Sequence, residues 1–564
     1  FKPEEFWTIA SNFQYDDKLI KSKLSVFNEK KIEKFSFKKK IDSEKALNAI
    51  KDQSYKITDV SSKVFRRNPL APFTTSTLQQ TASGKYGFGA SRTMQIAQRL
   101  YQGIDLEGDT IGLITYMRTD GTNISKEAIS DFRNFINKEH GKEYLPEVPN
   151  NYSGKKAKNA QEAHEAIRPT DVNRKPSDLK KYLSTDQSKL YELIWNRAVS
   201  SQMNPAEFDR KSITIESENK KINFKANGST IKFEGYLKVY KFEEKDEDLK
   251  NILPEVKVGD KVSIKELIDD QHFTDPPPRY SEASLVKKLE ELGIGRPSTY
   301  APTIKTIQDR GYVENKDIEG KSRAIKQLVL KEDIINKIDL SENFGADRKK
   351  LFPTTTGEVV NEFLVEHFKN IMDYNFTADI EKELDSIAKG ELLWTDMLSS
   401  FYSPFHKTIE HTQENAERAN GERLLGKDPA SGEPLYVKLG KYGPIAQIGE
   451  TSDETKKPKF ASLKEGQHIK TISLEEALKL FDYPKSLGEH ENLEVTVKVG
   501  RFGPYIQFGT ENVSIPKGTE PDEVLLENAI ELINEKRNSS YPQFSDHYFT
   551  GDYPIKPHDN LEGI

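Results

Sequence analysis

Residues 109–125 read DTIGLITYMRTDGTNIS. The apolar residues predict a strand that runs into a polar turn carrying Tyr116, Arg118, Thr119 and Asp120. In strand alternation Tyr116 and Arg118 point to the same face. A tyrosine hydroxyl is a poor nucleophile at neutral pH, since its reference pKa is about 10. A guanidinium that stabilises the oxyanion, and the phosphate it attacks, makes it useful. A core tyrosine beside a surface arginine is the alternative that the pair alone leaves open. Ser125 is then placed to cap a helix reaching about Lys138.

Upstream, NPLAPFTTSTLQQTA (68–82) opens a new unit. Thr77 is expected to cap its first helix, and Gly87 and Gly89 punctuate KYGFGAS. SRTMQIAQRLYQGI (91–104) reads as an amphipathic helix, with Met94, Ile96, Ala97, Leu100 and Tyr101 on one side and Gly103 at its end. Downstream, QEAHEAIRPTD (161–171) places His164, Glu165 and Arg168 within little more than one helical turn. If helical, His164 and Arg168 share a face and form an anion clamp; a capped helix end with an exposed histidine is the plainer reading. Pro169 ends the segment.

A third stretch, SEASLVKKLEELGIGRPSTYAPTIKTIQDRGYV (281–313), predicts a helix pair. Ser281 caps the first helix, Leu285, Val286, Leu289 and Leu292 form its apolar face, and Gly293 closes it. GRPSTY turns into the second, with Pro302 in its first turn and Gly311 after its end. Arg296, Ser298 and Thr299 therefore crowd a helix N-terminus, where free N–H groups, two hydroxyls and a guanidinium suit a phosphate. An ordinary helix hairpin is the competing reading.

Around these stretches the chain divides. Residues 1–75 start with the strand-like FWTIASNFQY. The lysine-rich run at 28–40 reads as a solvated strand or hairpin edge, and Ser43 as the cap of a helix to about Gln53. Short β-like runs dominate 172–280 and complete the domain begun by 1–75, so 76–171 is an insertion. Residues 281–415 are helical. Over 420–540 a repeat is visible: LGKYGPIAQIG (439–449) recurs as VGRFGPYIQFG (499–509), each copy followed by a short helix. Lys441 with Tyr442, and Arg501 with Phe502, suit a phosphate contact beside a stacking face, or equally a solvated hairpin over a β core. Residues 541–564 do not continue the repeat and stay unassigned.

At 564 residues the chain is too long for one core. With no cysteine, disulfides and cysteine-ligated zinc are excluded for this segment. No stretch approaches the roughly 20 apolar residues of a membrane span, so no membrane partner is expected. A formal net charge of −6 does not advertise nucleic-acid binding, although one positive groove can be confined to part of a large chain.

Together, TLQQTASGKYGFGASRTMQIAQRLY, GLITYMRTDGTNIS, AQEAHEAIRPTD, the 281–313 helix pair and PTTTGEVVNEFLVEHF resemble the successive motifs of bacterial type IA DNA topoisomerases, in the family's order. The repeats resemble that family's C-terminal repeats. The resemblance implies a multidomain α+β fold: a toroidal core made of a β-rich arch, an inserted domain with the tyrosine and a helical single-strand-binding domain, followed by C-terminal β-rich repeats. It implies that Tyr116 forms a 5′-phosphotyrosine with one DNA strand, that Arg118 positions the phosphate, and that Asp120, His164 and Arg168 support the site. Arg296, Ser298 and Thr299 match the single-strand phosphate turn. Strand passage and religation then relax negatively supercoiled DNA without ATP, in a monomer of the cytoplasm and nucleoid.

The resemblance also implies magnesium, held by an acidic cluster of an N-terminal (TOPRIM) domain. No such cluster follows a strand here; EEKDED (243–248) sits in a polar loop. The chain starts on Phe1 and is expected to begin after that domain, so the isolated chain is expected to bind single-stranded DNA and cleave it poorly. Two other readings remain: a non-catalytic DNA-binding fragment, and a tyrosine recombinase, which the early position of Tyr116 disfavours.

Overall fold

The computed structural model describes residues 1–152, 164–241, 251–332, 334–416, 421–441, 443–450, 457–464, 467–500, 503–516, 519 and 521–540. The acidic run 243–248, residues 161–163, Tyr442, Arg501, Phe502 and the tail from 541 lie outside these. The chain forms two compact units, one of residues 1–357 and 364–415, the other of residues 358–363 and 416–564.

The first unit opens with β1 (Glu5–Tyr15), β2 (Lys18–Phe27), the two-residue β3 (Lys30–Lys31), α1 (Lys40–Lys51) and β4 (Tyr55–Arg67). The inserted segment follows: α2 (Thr75–Tyr86), α3 (Ala90–Gln102), the small hairpin β5 (Ile104–Leu106) and β6 (Asp109–Ile111), and α4 (Lys126–His140). Next come α5 (Pro176–Leu179), α6 (Thr185–Ser201), β7 (Ala206–Ser217), β8 (Ile222–Phe233) and β9 (Lys261–Phe273). The helix pair is α7 (Glu282–Leu292) and α8 (Tyr300–Asp309). Strands β10 (Val313–Ile318), β11 (Lys321–Lys331), β12 (Ile334–Phe344) and β13 (Asp347–Pro353) lead to helices α9 (Thr355–His367), α10 (Lys369–Met372), α11 (Phe376–Ala388) and α12 (Trp394–Asn415).

The β frame is antiparallel throughout. Its pairings run β1–β2–β8–β7–β4–β9 and close again from β9 to β1. Alternation dictates the inside: along β1, Trp7, Ile9 and Phe13 are buried and meet Ile20, Ile57, Ile215 and Phe224, with Leu47 and Ile50 of α1 against them. Strands from both ends of the insertion thus share one core. The β11–β12 hairpin joins this sheet through β9, although 281–415 was expected to be helical.

A second core holds the insertion together. It gathers Leu78 of α2, Ile96 and Leu100 of α3, Leu113, Ile114, Met117, Phe132 of α4 and Ile167. It also takes Leu190, Ile194 and Ala198 of α6, with Phe208 and Tyr236. The helices after residue 171 therefore pack with the tyrosine segment, together with Phe208 of β7, against the boundary expected at 171/172.

Several local expectations change. The first insertion helix is capped by Thr74, with Thr77 returning the bond to Thr74. Ser43 lies inside α1, and its hydroxyl donates to buried Asp269 at 2.6 Å. The lysine-rich run, as expected, gives an exposed hairpin edge: β3 pairs antiparallel with β2, and turns follow it. Ser125, Ser281 and Ser184 cap their helices as side-chain acceptors.

The second unit contains two alike sheets: β14 (Arg423–Lys427), β15 (Pro434–Gly440), β16 (Gly443–Ile448) and β17 (Lys459–Ser462), with α13 (Leu474–Leu478) after them; then β18 (Lys485–His490), β19 (Leu493–Gly500), β20 (Gly503–Phe508) and β21 (Glu511–Ser514), followed by α14 (Leu526–Ser540). In both, the repeated glycines face each other at the hairpin end, Gly440 to Gly443 and Gly500 to Gly503. The repeated glutamines act alike, Gln447 donating to the Gly449 carbonyl and Gln507 to that of Gly509. Among the described residues no helix is long and apolar enough to cross a membrane.

Candidate active site

Tyr116 does not lie on a regular strand. Strand β6 ends at Ile111, and residues 112–120 form one isolated bridge, Ile114 to Pro169, followed by bends. The backbone is zipped to 166–170: Thr115 N–H donates to the Arg168 carbonyl at 2.9 Å, Thr170 N–H to that of Leu113 at 3.0 Å, and the Thr115 hydroxyl to that of Ala166 at 2.7 Å. Residues 164–170 are accordingly extended rather than helical, with Ile167 bridged to Phe73. The expected i, i+4 clamp of His164 and Arg168 does not form. Pairing with residues on both sides of the tyrosine segment outcompetes the local helix.

That pairing still carries His164 to the tyrosine. The two rings lie with centroids 5.0 Å apart, tilted by 58°. Tyr101 of α3 meets the other side of Tyr116 edge-on, centroids 5.4 Å apart. Tyr101 was expected on the buried face of α3, yet it is 40% exposed and serves as this flank. Arg168 turns away to Glu165 at 2.8 Å, and Glu165 in turn accepts from Ser125 N–H. Gly121 passes so close to the His164 carbonyl that a Cβ there would lie 2.3 Å from it.

The loop after the tyrosine is clamped from α2. Buried Thr75 bonds Met117 and Thr119 through its hydroxyl, at 2.8 Å to the Met117 carbonyl and 2.9 Å from Thr119 N–H. Its own N–H donates to the Thr119 carbonyl at 2.9 Å. Sequence reading missed Thr75, because a threonine in a helix's first turn normally signals only a cap. Arg118 leaves this loop exposed and lines a cleft against α3.

The helix pair docks on the insertion. Val286, Tyr300, Ala301 and Ile304 pack on Ala90, with Met94 beside them. Glu282 accepts from Ala90 N–H at 2.8 Å, capping α3 from outside; a Cβ on Gly89 would sit 2.8 Å from that carboxylate. Glu290 accepts from the Ser76 hydroxyl at 2.7 Å. Burial raises the carboxyl pKa of Glu290, and Asp120 adds to the effect. Tyr300 is raised too, first by burial and then by the charges of Glu290 and Asp120. Asp120, four residues beyond Tyr116, is thus within electrostatic reach of the 296–300 turn.

At that turn Arg296 pairs with Glu381 of α11 at 3.1 Å. The Thr299 hydroxyl accepts from Arg296 N–H and closes the turn, and the N–H groups of Thr299 and Tyr300 both donate to the Arg296 carbonyl. Ser298 is exposed. In this conformation the turn's first donors serve the turn itself. Among the described residues no group of three or more His, Asp or Glu side chains is arranged to hold a metal ion.

Comparison with known proteins fits this architecture. Residues 1–329 and 331–399 match the DNA topoisomerase family, and 428–492 and 488–541 match the topoisomerase C-terminal repeat. The chain belongs to the bacterial type IA DNA topoisomerase family. It is 42% identical over 550 residues to DNA topoisomerase 1 of Xylella fastidiosa, covering 95% of this chain and 63% of that protein. It is 38% identical over 617 residues to DNA topoisomerase 1 of Rickettsia bellii, covering 96% and 73%. Among solved structures, full-length topoisomerase I from Thermotoga maritima is similar with a TM-score of 0.61 and 31% identity, over 83% of this chain and 68% of that one. The chain therefore spans less than two thirds of the length of its Xylella relative.

Proposed function

We infer that this chain carries the strand-cleaving tyrosine of a type IA DNA topoisomerase and that Tyr116 is its nucleophile. The observation that supports this most directly is the placement of the Tyr116 ring between His164 and Tyr101, on a loop pinned from both sides. The Tyr116 oxygen attacks a backbone phosphorus, the bond from phosphorus to the 3′ oxygen breaks, and a 5′-phosphotyrosine forms. His164 takes the phenolic proton, which ends on the released 3′-hydroxyl. Arg118 meets the phosphate's charge, and Asp120 steadies the site from the side of the helix pair. Arg168 holds Glu165 and so the approach of the His164 segment.

The reaction exchanges one phosphoester for another, so it reverses without ATP. Passage of a second strand before reversal relaxes negative supercoils. The turn at Arg296, Ser298 and Thr299 takes a neighbouring phosphate of the single strand once Arg296 is drawn off Glu381. The family implies magnesium, but the described residues offer no fitting ligand set, and the steps above use only this chain's own groups. A cytoplasmic, nucleoid-bound monomer is the matching cellular form.

The test is a 5′-labelled and a 3′-labelled single-stranded oligonucleotide, each incubated with the chain and then denatured. A covalent adduct through the 5′ phosphate, absent in Tyr116→Phe, is expected. A 3′-linked adduct, or an adduct surviving Tyr116→Phe, overturns the assignment. Tight strand binding with no adduct favours the non-catalytic reading.

A further inference from the structure

Helix α3 has two unlike sides. Inward it buries Ala90, Thr93, Ile96, Ala97 and Leu100. Outward, Gln95, Gln98, Arg99 and Gln102 recur at i, i+3, i+4 and i+7, which makes one stripe along the helix. The stripe holds three amides and one guanidinium, and no acid. Arg118, two residues past Tyr116, forms the opposite wall, and Met94 completes a cleft of about 550 Å³. That volume lies in the ~300–1,000 Å³ range of small-ligand sites.

The arginines of this region differ in what they face. Arg92 on the same helix pairs with Asp186, Arg168 with Glu165 and Arg296 with Glu381. Among the described residues the side chains of Arg99 and Arg118 have no ion-pair or hydrogen-bond partner. Two like charges share one cleft with nothing to neutralise them, and only amide groups around them. An acid would neutralise the pair at little cost, yet every polar neighbour here is a glutamine. The arrangement fits an anion supplied from outside. Helix α3 also sets the Tyr101 ring against Tyr116, so the cleft is held in fixed register with the phenol.

We propose that this cleft binds the phosphodiester backbone of the cleaved strand, with Arg99 as a phosphate-binding residue and Gln95, Gln98 and Gln102 donating beside it. The proposal rests on the Tyr116 reading and adds a subsite to it. Arg99 fixes the strand one phosphate away from the one under attack, while Arg118 serves the attacked phosphate or its neighbour.

The experiment measures binding of a fluorescein-labelled oligothymidylate by anisotropy across a salt series, using the full chain and its Arg99→Gln, Arg99→Lys and Arg92→Gln variants. Each phosphate contact to a single strand contributes a slope of about 0.7 in log K against log salt. Arg99→Gln should raise Kd about 5- to 10-fold and lower the slope by about that amount, while Arg99→Lys keeps the slope and Arg92→Gln changes neither. Wild-type Kd and slope in Arg99→Gln overturn the proposal, as does an equal loss in Arg92→Gln. The adduct assay separates the two readings. An adduct in the parent with no effect at Arg99 sinks this subsite alone. A slope change at Arg99 without any adduct favours the non-catalytic reading of this chain and leaves the subsite standing.

Discussion

The imidazole of His164 lies against the ring of Tyr116, 5.0 Å between centroids, and extended pairing puts it there rather than a helix. The histidine comes from a segment 48 positions along the chain, delivered by the Thr115–Arg168 backbone bonds. On the function proposed above, it holds the phenol's proton and orientation. His164→Ala should therefore lower adduct formation by about 10²-fold, the lower end for a lost acid–base group. Strand affinity should change by less than about threefold, a difference of well under 1.4 kcal/mol. Equal losses in affinity and adduct yield would show that His164 only grips DNA.

Thr75 holds the loop that follows Tyr116. Its buried hydroxyl serves Met117 and Thr119 at once. Thr75→Val keeps the shape and strips those bonds, leaving a buried N–H and carbonyl unsatisfied, at a cost of about 1–3 kcal/mol. Urea denaturation should show that loss, and Thr75→Ser should recover most of it. Adduct yield should fall with Thr75→Val even at temperatures where the chain is fully folded. Wild-type stability in Thr75→Val would remove the clamp from the account.

Asp269 is fully buried in β9, with one carboxyl oxygen bonded to Ser43 and the other without a hydrogen-bond partner among the described residues. Burial pushes its pKa up to about 7. The folded state thus keeps a proton that the unfolded chain gives up near pH 4. Stability from this group is full below pH 4 and is lost as pH rises towards 7. Asp269→Asn should flatten that decline and raise stability at pH 8 by up to about 4 kcal/mol, the full value of a three-unit shift. Thermal midpoints from pH 4 to 8 measure it. Parallel curves for the two proteins would show that Asp269 does not titrate in this window.

How much of this was readable beforehand follows from where the information sits. The cap of the helix pair at Ser281 is local: one residue type at one spacing decides it. Tyr116 and Arg118 stood out only through the order of the surrounding motifs, because the pair alone leaves a core tyrosine open. The repeats were legible because Gly440, Gly443, Gln447 and their second copies do the same job twice. His164 was found for the wrong geometry, since nothing in QEAHEAIRPTD reveals that Thr115 will take its backbone bonds. Thr75, Glu282 and Glu290 were invisible for the same reason: each acts on a residue more than 40 positions away. Arg296 and Arg99 look alike in sequence. Only the fold shows that Glu381 holds one while the other faces a cleft.

Glu290 sets how firmly the helix pair holds the tyrosine domain. It reaches from α7 to Ser76 on α2, a residue that Gln80 also bonds. Burial first, then Asp120 and Glu291, raise its pKa, so the docked state favours the protonated acid. Docking is then full below the ordinary carboxylate range and weakens as pH rises through the raised value. Any opening of the insertion away from α7 must break this contact and the one from Glu282 to Ala90. The absence of cysteine lets dyes be placed at will. A donor and acceptor on cysteines introduced at Lys85 and Lys288, both outside the contact, should report more of the open form at pH 8 than at pH 5. Glu290→Gln keeps an oxygen for Ser76 but carries no charge, so it should hold the docked form and lose most of the pH dependence. If Glu290→Gln opens as readily as the parent at pH 8, burial of this carboxylate does not govern the docking.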